Sequence, residues 1–304
     1  MKLSHQDFVE FKRILHGDGE EEDDGFPKYS YYASSSSLLT ERPAGALHEK
    51  IVSIISDGFV YSRGRLPRNI ATKISVVGNQ TMKRFEGTHR GSRKAADVAV
   101  QVTNDNGNRE VKFVAEVGVA ETYDKLTDDA RLWLEGTQTV SLVMLVKLEE
   151  SPVYQCPIRK LSEKELKRMN FPATNQIDGS NFLLASQYGP AIFNGYTWVG
   201  KVSGYFEFWG IDPTTKLAKC ITSTNNISEM EKNPESGLYL SELIDIDEEH
   251  DEEIYFDWVN FLETLKETIK EMAVDRYVEA LDDAEERANG VDKDYQQPSQ
   301  ASSA

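Results

Sequence analysis

The chain has 304 residues, of which 39% are hydrophobic, so it can form one large folded domain or two small ones. Its two cysteines, Cys156 and Cys220, exclude a disulfide framework and a Cys-x-x-Cys metal site, and no apolar run reaches the roughly 18 residues of a membrane span. The formal net charge of −17 disfavours long-range attraction to nucleic acid. From the cysteine content and the lack of an apolar span, we expect an intracellular protein, cytoplasmic or nuclear, with no membrane partner.

Residues 1–43 are predicted to precede the main domain. Apolar residues recur at helical spacing from Ser4 to His16, which indicates a short amphipathic helix. The acidic stretch from Gly17 to Gly25 and the serine run from Ser34 to Ser37 are expected to be loops. This part of the chain is therefore predicted to be one helix followed by a connection.

Residues 44–150 carry the patterns of an α/β core, which begins with a helix. Apolar residues share one face from Ala44 to Phe59, and Gly58 is predicted to end this helix. Alternation from Ile70 to Val77 predicts the first strand, and residues 78–91 are expected to form a loop or an irregular strand.

Two further strands are predicted from alternating residues at Ala96 to Val102 and Val111 to Val119. Asn106-Gly107 between them is a strong signal for a hairpin turn. Apolar residues at helical spacing then predict a helix from Glu121 to Glu135, and the apolar run from Val140 to Val146 predicts a buried strand. The predicted order is therefore helix, three strands, helix, strand.

Two acids stand out in this core, because each lies in or beside an apolar strand. Asp97 is near the start of one strand of the hairpin, and Glu116 is inside the other. A buried carboxylate is costly unless it is paired, hydrogen-bonded or bound to a metal. Two alternatives follow: the acids converge on one hard cation such as Mg²⁺, or Asp97 is an edge residue and Glu116 pairs with an arginine such as Arg131.

The spacing of Asp97 and Glu116-Val117-Gly118, followed by a helix and an apolar strand, resembles the PD-(D/E)XK nuclease-like superfamily. The closer likeness is to fungal proteins of that superfamily, in which a strand reading E-V-G precedes an acidic helix containing D-A-R-L-W-L, the hexapeptide at 129–134 here. The resemblance covers residues 44–149. It implies a restriction-endonuclease-like core.

This resemblance implies Asp97 and Glu116 as ligands of Mg²⁺ or Mn²⁺. The backbone carbonyl of Val117 and the carboxylate of Glu49, on the first core helix, are further candidate ligands, although Glu49 can equally be a solvent-facing residue. The family places a lysine two residues after the glutamate, where this chain has Gly118. That lysine assists the attacking water or the developing negative charge, so its absence counts against hydrolysis.

Other lysines can replace the one that is missing at position 118. Lys125, on the next helix, is the candidate catalytic lysine because its ammonium can swing toward the two acids. Lys94 and Lys112 are further candidates, since both lie close to the acids in sequence.

A basic stripe lies within residues 59–96, where nine Lys and Arg side chains accompany one acid, Glu86. This stripe, from Arg63 to Lys94, can hold phosphates of a nucleic acid, or it can pair with the acidic C-terminal part of the chain. The candidate nucleic-acid contacts are Lys83, Arg84, Arg90, Arg93 and Lys94.

The remaining chain is predicted to pack on the core. Residues 151–288 are expected to hold a polar helix from Ile158 to Met169, an antiparallel hairpin within Tyr196 to Thr224, and a long helix from Ile254 to Asp283. The apolar stripe of the long helix packs on the core or on a protein partner. Residues 289–304 are predicted to be disordered.

The sequence thus predicts an α/β protein with a restriction-endonuclease-like core, an added antiparallel hairpin and a long C-terminal helix. The first functional hypothesis is a Mg²⁺-dependent nuclease-like enzyme that acts on phosphodiester bonds. The second is a catalytically inactive core that binds nucleic acid or protein, which the missing lysine and the acidic composition favour.

Overall fold

The computed structural model describes residues 1–16, 29–40, 45–119, 121–222, 224–227 and 236–289. The chain has a mixed α/β fold, as the sequence predicts. It divides into two compact units, residues 1–149 with 203–263 and residues 150–202 with the chain from 264 onward. Unit 1 thus includes the predicted core and part of the segment predicted as its extension. The acidic stretch 17–25 and residues 290–304 of the predicted tail lie outside the described residues.

Unit 1 begins with a helix and a two-stranded hairpin. They are α1 (His5–His16), β1 (Tyr29–Tyr32) and β2 (Ser37–Thr40). The ring of Phe8 stacks on Tyr31 with centroids 3.9 Å apart. The backbones of Tyr31 and Arg93 exchange two hydrogen bonds of 2.8 Å each, which attach the hairpin beside the residues that precede Asp97.

The first core helix, α2 (Ala46–Arg65), is longer than predicted. Its apolar face buries Leu47, Ile51 and Ile55. The prediction that Gly58 ends the helix is wrong, because this glycine serves close packing instead. A Cβ atom at Gly58 would lie 2.5 Å from the backbone oxygen of Tyr255, so only glycine fits this contact.

Short elements lead from α2 to the first hairpin strand. They are α3 (Arg68–Ala71), β3 (Ile74–Val77), β4 (Thr81–Met82), β5 (Lys94–Ala95) and β6 (Val98–Thr103). The predicted strand 70–77 is therefore helical at its start. Pro67 precedes α3, and a proline is tolerated there because the first turn of a helix leaves its N–H groups unpaired.

The second hairpin strand, the next helix and the buried strand follow as β7 (Arg109–Gly118), α4 (Tyr123–Gly136) and β8 (Leu142–Ser151). The Thr122 hydroxyl caps α4 by accepting a hydrogen bond from the Lys125 N–H. Strands β6 and β7 pair antiparallel, whereas β7 and β8 pair parallel because α4 makes the crossover between them. The candidate site lies near the end of β7, where the chain leaves this parallel pair for α4.

The rest of the chain adds α5 (Glu163–Met169), β9 (Leu183–Leu184), β10 (Ala191–Phe193), β11 (Tyr196–Val199), β12 (Lys201–Ile211), β13 (Ala218–Cys220), β14 (Asn225–Asn226) and α6 (Trp258–Asn289). The helix predicted from Ile158 starts later, because Ser162 and Glu165 form a capping box. The main sheet has the order β13-β12-β8-β7-β6-β3, with β14 paired to β12.

Unit 2 is held together by an ion pair and an aromatic cluster. Arg276, on α6, donates to both carboxylate oxygens of Glu150 at 2.6 and 2.8 Å. The ring of Tyr277 lies 5.0 Å from that of Trp198. The apolar stripe of α6 is buried within the chain at Ile269 and Tyr277, and a protein partner for this helix stays a prediction.

In the described parts of the chain, no helix is both long and apolar enough to cross a membrane.

Candidate functional site

Asp97 lies directly before β6, an internal strand of the main sheet. Its neighbour Val98 pairs with Ala115 of β7, so Asp97 stands opposite Glu116. The Asp97 Oδ2 atom accepts a 2.7 Å hydrogen bond from the backbone N–H of Val117. Its side chain keeps 23% of its surface exposed. The hairpin register therefore brings the two predicted acids to adjacent positions, with Asp97 the more accessible.

Glu116 lies within β7 and is almost completely buried. Its Oε1 atom accepts a 2.6 Å hydrogen bond from the indole N–H of Trp133. Its Oε2 atom lies 3.2 Å from the ammonium of Lys94. Burial raises the pKa of Glu116 well above its usual value, and although Lys94 opposes this, the charges of Asp97 and Asp129 add to it.

Lys94 joins Glu116 to a second buried acid, Asp129. The Lys94 Nζ atom lies 3.3 Å from the Oδ2 atom of Asp129, and only 7% of its side chain is exposed. Lys94 was predicted as a surface contact for nucleic acid and as a replacement for the missing lysine. The structure places it inside, against Glu116.

Asp129 lies on α4 and has two further partners. Its Oδ1 atom accepts hydrogen bonds from the Tyr32 hydroxyl and, at 2.9 Å, from the ammonium of Lys125. The Lys125 ammonium also donates to the Tyr32 oxygen. Lys125, predicted as a catalytic lysine, is therefore held by Asp129 and Tyr32, and its catalytic role stays a prediction.

We call these six side chains the buried network: Tyr32, Lys94, Glu116, Lys125, Asp129 and Trp133. Three of them lie four residues apart on α4, so they share the helix face that covers β7. Sequence reasoning missed Asp129 and Trp133 as partners of Glu116, although this spacing could have indicated them. Tyr32 has no such signal, because it comes from a distant hairpin.

His48, on α2, contacts the other acid of the site. Its Nε2 atom lies 3.3 Å from the Oδ2 atom of Asp97, and its Nδ1 atom lies 3.4 Å from Glu49 Oε1. Burial lowers the pKa of His48, but Asp97 and Glu49 outweigh burial and raise it above its usual value. Glu49, a predicted metal ligand, has 59% of its side chain exposed and faces His48. Sequence reasoning found Glu49 but missed His48 beside it.

Glu121 lies in the short connection between β7 and α4, and sequence reasoning missed it as well. Burial and the charge of Asp129 raise its pKa, while Lys94 and Lys125 lower it and Asp97 raises it further.

Gly118 leaves no open space beside Glu116. A Cβ atom at Gly118 would lie 2.8 Å from the Cδ1 atom of Leu126, so the side chain of Leu126 fills this space. A lysine at position 118 would have to displace Leu126, which is buried.

The other predicted phosphate contacts lie nearer the surface. Lys83, Arg84 and Arg90 are exposed. Arg93 is half-buried, with its guanidinium 4.8 Å from the centroid of the Tyr29 ring. Their role in nucleic-acid binding stays a prediction.

The donor set of the site consists of oxygen ligands, which suit Mg²⁺ or Mn²⁺. Within the part of the chain that the structure describes, no group of three or more His, Cys, Asp or Glu side chains could hold a metal ion. Both oxygens of Glu116 already have partners, so a cation at this residue would compete with Lys94. Metal binding by Asp97, Glu116, Val117 and Glu49 stays a prediction.

No protein-family model matches the chain, and a search of curated proteins gives no match. Among solved structures, the chain is similar to the crystal structure of "a putative nuclease belonging to DUF820" from Anabaena variabilis, with 12% identity and a TM-score of 0.33. The match covers 48% of this chain and 74% of that one.

Proposed function

We propose that the chain is a nuclease-like protein whose candidate site acts on phosphodiester bonds of nucleic acid. The observation that carries this proposal is the convergence of Asp97, Glu116 and Lys94. Two carboxylates stand opposite each other, Asp97 directly before β6 and Glu116 on β7, and Lys94 contacts Glu116 although position 118 holds a glycine. Two acids and a lysine are the groups that hydrolysis at a phosphodiester requires in the superfamily that the sequence resembles.

In this proposal, Asp97 and Glu116 hold Mg²⁺ or Mn²⁺, and the Val117 carbonyl and Glu49 are further candidate ligands. The ion would polarise a phosphodiester oxygen and lower the pKa of a bound water. The chain's own contribution is positional: the Val117 N–H fixes the Asp97 carboxylate, and Trp133 fixes that of Glu116.

The proposed nucleic-acid surface consists of Lys83, Arg84, Arg90 and Arg93. The segment that holds them leads directly to β5, which holds Lys94, and then to Asp97. A phosphate backbone bound along this segment would be led toward the candidate site. Positive side chains supply most of the binding free energy in such contacts.

A cleavage assay tests the proposal. The purified chain is incubated with single- and double-stranded DNA and RNA, with Mg²⁺ or Mn²⁺. We expect cleavage, and we expect Asp97→Asn to reduce it by roughly 100-fold or more, because a metal-bound carboxylate supports several kcal/mol of charge stabilisation. The matched control is Asp105→Asn, whose side chain is 94% exposed and pairs with Lys73.

A binding module without catalysis is the second candidate. Both oxygens of Glu116 are already engaged, and Leu126 fills the space beside Gly118, which together favour a closed structural site. If Mg²⁺ and Mn²⁺ leave the melting temperature unchanged and no substrate is cleaved while nucleic acid still binds, this candidate replaces the enzyme.

A further inference from the structure

Two lysines are buried among the described residues, and their surroundings differ. Lys94 faces the carboxylates of Glu116 and Asp129. Lys147, on β8, is 7% exposed, and its ammonium donates a 2.7 Å hydrogen bond to the backbone oxygen of Leu148. No carboxylate in the described chain lies within 4 Å of the Lys147 ammonium. Burying an ammonium without an ion-pair partner costs free energy in the folded state.

The register of the sheet places Lys147 beside Gly118. The two residues are partners in the parallel pairing of β7 and β8. Paired residues on neighbouring strands direct their side chains to the same face of a sheet. Gly118 and Glu116 are on the face that α4 covers, since Leu126 contacts the first and Trp133 the second. Lys147 therefore belongs to the face that carries Glu116.

Electrostatic coupling connects Lys147 to the candidate site through Glu121. Burial lowers the pKa of Lys147, and the charges of Glu149 and Glu121 oppose this shift. Glu121 in turn responds to Asp97 and Lys94. The Lys147 ammonium nevertheless has no ion-pair partner within 4 Å in the described chain, and an incoming anion would supply one.

We propose that Lys147 supplies, from β8, the ammonium that Gly118 does not carry, and that it binds a phosphate group of the substrate. This inference rests on the proposed function for the identity of that substrate. The binding of a phosphate anion by Lys147 is independent of catalysis, so it can be tested separately.

The first test uses inorganic phosphate as the probe, without metal. Phosphate should raise the melting temperature of the full-length wild type, because a ligand that binds only the native state stabilises it. Lys147→Met should abolish this shift. The control is Lys219→Met, which removes the same charge from a side chain that is 65% exposed. An equal phosphate shift in Lys147→Met, or no shift in the wild type, would overturn the inference.

Folding of the variant is checked in the same melts. Methionine keeps most of the buried stem of Lys147, and the removed charge has no carboxylate within 4 Å in the described chain. The melting temperature of Lys147→Met without phosphate should therefore be at least that of the wild type. If the methionine variant does not fold, Lys147→Gln takes its place in the phosphate titration.

The second test measures cleavage with Mg²⁺ or Mn²⁺. Lys147→Met should lower kcat/KM by roughly 100-fold, the usual effect of removing one group that stabilises developing charge, and Lys147→Arg should restore part of the loss. If the wild type cleaves nothing but its phosphate shift depends on Lys147, the proposed hydrolysis fails and the phosphate site stands. If Asp97→Asn abolishes cleavage while Lys147→Met is fully active, the inference about Lys147 fails alone.

Discussion

At the scale of single residues, Glu116 shows which groups stabilise a buried charge at this site. Its two oxygens meet two different donors, the neutral indole of Trp133 and the ammonium of Lys94. Lys94 is shared with Asp129, which Lys125 also contacts. Two buried acids are thus balanced by two lysines, but burial still makes ionised Glu116 costly, as the direction of its pKa shift indicates.

We expect Glu116→Gln to gain stability relative to the wild type as the pH rises from about 4 to 8. The pKa of Glu116 in the folded chain lies above its unfolded value of about 4.3. The stability that protonated Glu116 contributes is fully present below that unfolded value and is lost as the pH rises through the folded one. Glutamine cannot ionise, yet it keeps an oxygen for Trp133. Urea unfolding of both proteins across this range measures the difference.

Glu110→Gln is the matched control for this pH series. Lys112 and Asn104 hold the pKa of Glu110 below its usual value, so its contribution is present at higher pH and is lost as the pH falls. The control should therefore follow the opposite trend. A strong destabilisation of Glu116→Gln at all pH values would contradict our account and indicate a structural ion pair with Lys94.

The sequence alone singles out Asp97 and Glu116, because acids in or beside apolar strands are conspicuous. Their neighbours were harder to identify. His48 and Tyr32 reach the site from a helix and a hairpin that are remote in sequence, so only the tertiary packing reveals them. The arginine suggested as a partner of Glu116, Arg131, instead pairs with Asp128 on the surface of α4.

At the scale of elements, the contact between β7 and α4 depends on Gly118. The side chain of Leu126 packs where a Cβ atom would stand, and it is 1% exposed. Because protein interiors are close-packed, moving α4 away from β7 would cost free energy. The glycine at this position therefore determines how closely α4 approaches the strand that carries Glu116.

We expect Gly118→Ala to destabilise the fold by about 1–3 kcal/mol, the usual cost of overpacking a core. In a Leu126→Ala background, which removes the contacting atoms, the same change should cost much less. Chemical denaturation of the four proteins in this cycle measures the coupling between the two positions.

Gly64→Ala is the control for the loss of glycine itself. Apart from the neighbouring residues and the backbone of α2 itself, no heavy atom of the described chain lies within 4 Å of a Cβ at Gly64, near the end of that helix. Alanine there should be neutral or stabilising by about 0.5–1 kcal/mol, because it favours the helix. Equal costs of Gly118→Ala with and without Leu126 would show that this packing contact is not the cause.

Periodicity predicts the type and order of the elements well, because apolar residues must face the core at the spacing of a helix or a strand. It predicts their ends less well. Gly58 looks like a helix end in the sequence, but the contact that requires it comes from Tyr255, almost 200 residues later. Position 118 is similar: alternation places Gly118 beside Glu116, but Leu126 of the next element occupies the space.

At the scale of the whole molecule, the charge is unevenly distributed. The chain carries a net −17, yet exposed bases follow one another at Lys83, Arg84 and Arg90. A negative protein repels nucleic acid at long range, whereas a local basic surface attracts it within about one Debye length. Binding should therefore be confined to this surface and should depend strongly on salt.

Reversing the charge of Arg84 and Arg90 to glutamate should weaken nucleic-acid binding and flatten its salt dependence. Each phosphate contact that is lost should reduce the slope of log affinity against log salt by about one. The control is Arg131→Glu, on the exposed side of α4. Fluorescence anisotropy over a salt series measures the slopes, and an unchanged slope in the double variant would exclude this surface.

The hairpin of β1 and β2 contributes to the site from outside the predicted core, which bears on how the site can evolve. Tyr32 completes the contacts of Lys125 and Asp129 from a segment outside the predicted core, and Tyr31 is joined to Arg93 by two backbone hydrogen bonds. A descendant that loses the hairpin leaves a lysine and an acid without their shared phenol. We therefore expect the N-terminal segment and the Lys125–Asp129 pair to be retained or lost together during evolution.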